Sequence, residues 1–105
     1  MRRQSVDRQQ AIIVAVSDRL NLLSAKRFED LAALPKVSSE DLIIARKKIT
    51  LSVWHNALPS GEHLIAVQVY KPGILGIGRM YVDGFVINIQ NQRRSLTQEE
   101  KAPFS

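Results

Sequence analysis

His55, Glu62 and His63 are the side chains of this sequence whose types and spacing come nearest to chemistry. They flank Asn56-Ala57-Leu58-Pro59-Ser60-Gly61, a stretch whose Asn, Pro, Ser and Gly favour reversal of the chain. Two histidines paired across such a hairpin have Cβ atoms about 5 Å apart. An adjacent carboxylate then completes a three-ligand metal site or orients an imidazole. On an exposed turn the same residues are also ordinary polar surface. The reading this trio supports is a small enzyme or metal-binding protein using His55 and His63.

Other routes to catalysis are thinner. The 105 residues include no cysteine, which excludes disulfide frameworks, thiolate metal sites and cysteine nucleophiles. No G-x-S-x-G elbow is present and neither histidine has an identifiable Asp partner. The acidic pairs Glu29-Asp30, Glu40-Asp41 and Glu99-Glu100 fall early in expected helices, where the helix dipole accounts for them. Gly73, Gly76 and Gly78 lack the spacing of a dinucleotide or phosphate loop and lead into a strand, whereas such loops lead into a helix. The expectation leans away from an enzyme: no catalytic residue is named, no cofactor is required and no small-molecule ligand is indicated.

Fifteen Lys and Arg against ten Asp and Glu leave a formal charge of +5, a general bias toward polyanions. The candidates for nucleic-acid contact are Arg46, Lys47, Lys48, Arg79, Arg93 and Arg94. Between Phe28 and Lys48, the residues Leu31, Ala32, Val37, Leu42 and Ala45 have the apolar spacing of a helix-turn-helix, and a hairpin follows as in a winged helix. Lys36 stands where a turn glycine is usual, and Glu40-Asp41 open the would-be recognition helix with the wrong charge.

The elements that must position these residues change character near Lys48. Before it there is no glycine and the apolar spacing is helical; after it come period-two alternation and all five glycines. The first helix is expected from Val6 to Leu23 with Ser5 as N-cap and Ile13, Val16, Leu20 and Leu23 toward the core. A second spans Ala25 to Leu34 and stops at Pro35. Ser38 and Asp41 have the spacing of a capping box and predict a third helix over 39–48, although Ile43-Ile44 keeps a strand open.

Strands follow at Ile49 to His55, His63 to Tyr70, Arg79 to Gln90 and Arg93 to Leu96, and Thr97-Gln98-Glu99-Glu100 has a capping-box pattern. Parity suggests Val53 opposite Ile65, Leu51 opposite Val67 and His55 opposite His63. Asp83-Gly84 reads as a glycine bulge that keeps Met80, Val82, Phe85, Ile87 and Ile89 on one face.

The sum is a single α+β domain over 1–105, two or three N-terminal helices packed on a twisted antiparallel sheet of about four strands. With no leader pattern and no apolar run of membrane-spanning length, the expected setting is cytoplasmic and membrane-free. The functional expectation is a small interaction or regulatory protein whose partner is another protein or a second copy. Ile74, Leu75 and Ile77, in an apolar glycine-punctuated loop, are the candidate interface together with the sheet edge. Nucleic-acid binding is the alternative reading.

Overall fold

Period-two alternation of apolar residues is the pattern of a half-buried strand, and here it closes into one five-stranded antiparallel sheet. The computed structural model describes residues 2–44, 46–71 and 79–104, and of the side chains within these all but those of 2–9, 71, 79 and 80. Helices α1 (Arg2–Ser24) and α2 (Phe28–Ala32) precede strands β1 (Val37–Ile44), β2 (Lys47–Ala57), β3 (His63–Lys71), β4 (Arg79–Ile87) and β5 (Arg93–Ser95). A short helix α3 (Gln98–Lys101) and a 3-10 turn (Ala102–Phe104) end the described chain. The strands lie in sequence order, each hydrogen-bonded to its neighbours in the chain.

One face of the sheet receives the N-terminal helices. Ile12, Val16 and Leu23 of α1 and Leu31 of α2 pack with Ile49, Leu51, Val53, Ile65, Val67, Val69, Phe85 and Ile87. Each fully buried aliphatic side chain contributes about 1.5–3 kcal/mol. The exposed ion pair of Arg19 with Glu40 belongs to a class worth about 0–1 kcal/mol, so apolar anchoring dominates the docking of α1. Among the described side chains of α1 the buried anchors are Ile12, Val16 and Leu23, while Ile13, expected toward the core, is 45% exposed. The helix also starts earlier than expected, so that Ser5 lies within it.

The opposite face is covered by the C-terminal segment. Leu96 and Phe104 pack on Leu64, Ala66 and Val86, with Trp54, Leu58 and Val82 at the margin. Phe104 stacks obliquely on Trp54, ring centroids 5.7 Å apart. Trp54 Nε1 donates to Gln68 Oε1 at 3.0 Å, and Gln68 Nε2 donates to the Phe104 carbonyl. The expected capping box is present at Thr97 and Glu100. Arg94 grips the Glu100 carboxylate with both terminal nitrogens, at 2.7 and 2.9 Å. That hydrogen bonding, together with the Thr97 amide, lowers the Glu100 pKa to about 2. The carboxylate's contribution is therefore present above the ordinary carboxylate range and lost only as pH falls toward that value.

Three expectations are corrected. The third helix over 39–48 is instead β1 and the start of β2, running antiparallel from Val37 opposite Trp54 to Ile44 opposite Lys47. Side chains of this segment make cross-strand contacts instead: Ser39 and Ser52 hydroxyls lie 2.8 Å apart, and Asp41 accepts from Thr50 and pairs with Lys48. The β2–β3 register is displaced by two residues, with Val53 opposite Val67, Leu51 opposite Val69 and His55 opposite Ile65. Faces survive that shift because the side-chain period is two. No bulge interrupts β4, which stays in step with β3 from Arg79 to Ile87 and places Gly84 opposite Ala66.

Gly84 is required there by close approach. A Cβ at this position would lie 2.1 Å from the Ile65 carbonyl oxygen and 2.9 Å from Leu96 Cδ1. Gly84→Ala is expected to cost about 2–4 kcal/mol, since a rigid backbone atom must shift. Urea denaturation will show this as a lowered midpoint. Gly61→Ala, at φ +89° with nothing within 4 Å, should cost only about 1 kcal/mol of backbone strain.

Candidate functional site

His55 and His63 lie on the helix-covered face at the end of the sheet nearest α2. The turn between them closes through Leu58 and Glu62, whose Leu58 N–H donates to the Glu62 carbonyl at 2.8 Å. This sets Ala57 opposite His63 as the last pair, so that the histidines are diagonal neighbours. Their rings stack with centroids 4.9 Å apart, and His55 Nε2 lies 2.6 Å from His63 Nδ1.

The hydrogen-bond partners order the protons. His55 Nδ1 is 2.9 Å from the Leu34 carbonyl oxygen, which can only accept. Nδ1 therefore carries the proton, His55 Nε2 holds a lone pair, and His63 Nδ1–H donates to it. The Phe28 ring meets His63 edge-on at 5.1 Å. His55 N–H also donates to the Lys36 carbonyl at 2.9 Å. The dyad thus fastens the 33–36 connection to β2 and lies under α2.

Desolvation by burial and then the positive charge of a neighbouring His55 lower the His63 pKa from its ordinary value. Glu62 does not join the pair. Its carboxylate accepts from the Ser60 hydroxyl at 2.9 Å, and among the described residues no group of three or more His, Asp or Glu could hold a metal ion. What the structure brings together is the pair of histidines, beside a shallow groove lined by Lys36, His55, Asn56, Ala57 and Leu58.

The basic residues fall into two groups. Arg46, Lys47 and Lys48 stand at the β1–β2 reversal, with Arg46 in the left-handed region at φ 65°. Arg79 is in register with Lys71 at the same end of the sheet. Arg93 and Arg94 lie at the other end, opposite Ile87 and Val86. Lys48 pairs with Asp41, Arg94 with Glu100, and Arg93 donates to the Asn91 and Lys26 carbonyls. The helix-turn-helix reading of 28–48 loses its second helix to β1. Of the strand aromatics, Trp54 lies beneath the C-terminal segment and Tyr81 packs against the helix-side core.

The apolar trio Ile74, Leu75 and Ile77 lies outside the described residues. Among those described, no helix is long and apolar enough to cross a membrane. What residue-type reasoning missed is β1 itself. It occupies one edge of the sheet and is exposed along most of its length. Comparison with protein-family models, curated proteins and solved structures finds no match.

The dyad generates a pH dependence of known sign. In the unfolded chain His63 takes its proton near pH 6.5, and in the fold it does so lower. Within that window the unfolded state binds more protons, so stability is complete above the unfolded value and declines as pH falls through the folded one. Urea midpoints measured from about pH 7.5 down to about pH 5 should fall for the wild type. His63→Asn retains a donor near the Nδ1 position without a titrating group, and should flatten the slope. An unchanged slope would exclude His63 as its source.

Proposed function

We propose that this chain is an interaction module that accepts an additional β-strand along the free edge of β1. The observation that carries the reading is the hydrogen-bond phase of that strand. His55 N–H donates to the Lys36 carbonyl, and antiparallel pairing alternates bonded and unbonded positions. Ser38, Glu40, Leu42 and Ile44 therefore direct their backbone groups toward β2, while Val37, Ser39, Asp41 and Ile43 direct theirs outward. No other strand pairs with that edge among the described residues.

Sheet edges are usually protected by brevity, proline, lysine or a bulge. β5, the other edge, is short at three residues. β1 has eight residues, Val-Ser-Ser-Glu-Asp-Leu-Ile-Ile, and its pairing with β2 is unbroken. Its two charges are already compensated, Glu40 by Arg19 and Asp41 by Lys48. Val37 and Ile43 are 43% and 71% exposed at its two ends. Main-chain bonds would supply affinity, and alternate side chains specificity, as in other strand-addition complexes.

The test uses a random library of ten-residue peptides selected against the full chain. Bound peptides should protect the Val37, Ser39, Asp41 and Ile43 amides from hydrogen exchange and leave the already paired amides of β1 unchanged. Ser39→Pro removes one outward donor while leaving the bonds to β2 in place, and should weaken binding at least about tenfold, the equivalent of one or two lost hydrogen bonds. Selected peptides that bind Ser39→Pro as well as wild type, and protect amides elsewhere, would refute the proposal.

A further inference from the structure

We infer that the strand taken up by β1 is the β1 of a second copy, giving a two-fold dimer with one continuous ten-stranded sheet. The inference rests on the strand-addition reading and adds a partner and a register. A two-fold antiparallel pairing must match outward-facing residues with outward-facing residues. Centring it on Glu40 places Val37 opposite Ile43 of the second copy, and Ser39 opposite Asp41 of the second copy, each twice. The two exposed apolar residues of the edge then cover each other at both ends. Either register opposes one pair of carboxylates, each with its own cation, but centring on Asp41 would leave Ile43 against Ser39 and Val37 without an apolar partner. The first register is the self-complementary one.

The helix-covered side agrees with this choice. Glu40 shares that side with Leu51 and meets its own Arg19, so the pair of Glu40 side chains at the axis is flanked by two arginines. Leu22, one turn along α1 from Arg19 on the same flank, is 65% exposed.

The absence of cysteine makes the register directly readable. At the axis the Glu40 residues form an unbonded pair with Cα atoms about 4.5 Å apart, within the roughly 4.4–6.8 Å span of a disulfide. Ser38 and Leu42 face one another across the seam, so each is about 13 Å or more from its own counterpart. Single variants Ser38→Cys, Glu40→Cys and Leu42→Cys are oxidised mildly and compared by non-reducing electrophoresis. Glu40→Cys should run mainly as a linked dimer, with only traces from the other two. In parallel, sedimentation of the wild type should give twice the 11.8 kDa chain mass, and Ile43→Lys, at an exposed site, should return it to one. A wild type that sediments as one chain overturns the second copy as partner while leaving the peptide-binding test to judge strand addition. A dimer that survives Ile43→Lys, or that links through Ser38→Cys or Leu42→Cys in preference to Glu40→Cys, overturns the register and the seam.

Discussion

Every side chain of β3 from Leu64 to Val69 is buried, including the polar Gln68. An antiparallel sheet ordinarily leaves one face to water, and its strands then alternate between buried and exposed. A central strand buried throughout requires a cover on each face. This chain provides two unlike ones: α1 and α2 over Ile65, Val67 and Val69, and the C-terminal segment over Leu64, Ala66 and Gln68. The helical cover needs large apolar anchors, because a helix stands well clear of the sheet. The C-terminal cover is a single run of chain lying close against the strands, and Ala66 and Gly84, paired side by side, supply the shallow floor that lets Leu96 approach.

Gln68 decides how the second cover is fixed. A buried amide without partners costs about 1–3 kcal/mol, and here its oxygen accepts from Trp54 while its nitrogen donates to the backbone of Phe104. The bond to a backbone carbonyl specifies a position along the chain, which apolar contact between Phe104 and Trp54 alone would leave free to slide. Arg94 and Glu100 hold the other end of the segment. Hydrophobic burial thus provides the attraction and a few polar contacts provide the register, a division of labour seen in other buried polar networks.

Much of this architecture was legible in residue pattern, and the failures are local. Alternation located β2, β3 and β4 and assigned the faces of β2 and β3, because parity survives a register error of two; in β4 the expected bulge grouped Val82 with Phe85 and Ile87, whereas unbroken pairing puts Val82 on the opposite face. Turn length, which depends on the closure between Leu58 and Glu62, did not follow from composition. The segment at Val37–Ile44 was misread because Ser38 and Asp41 have cap spacing, whereas the β-branched Val37, Ile43 and Ile44 and the contacts to Ser52 and Thr50 favour a strand. Gly84 suggested a bulge, but its absent side chain serves the approach of Leu96 and the Ile65 backbone. The proximity of His55 and His63 could be read from parity. Their ordering by the Leu34 carbonyl and the Phe28 ring could not, because those partners come from a connection far away in sequence whose path is set only when Leu31 is buried.

The two edges of the sheet are consequently unequal for a structural reason. β5 is short because the chain must leave it at once to cross the sheet as the second cover, and its arginines are drawn into that crossing or into the turns beside it. β1 has no such duty. It enters from Pro35 with its first carbonyl pair already fixed by His55, runs the length of β2, and reverses at Arg46 into it. A meander with one truncated and one full-length edge can extend only from the full-length side. Head-to-tail growth would need the β5 edge of one copy to receive the β1 edge of the next, and three residues beside the C-terminal segment give little to receive it. Copies that added through β1 alone would therefore close after one addition and not form an open chain.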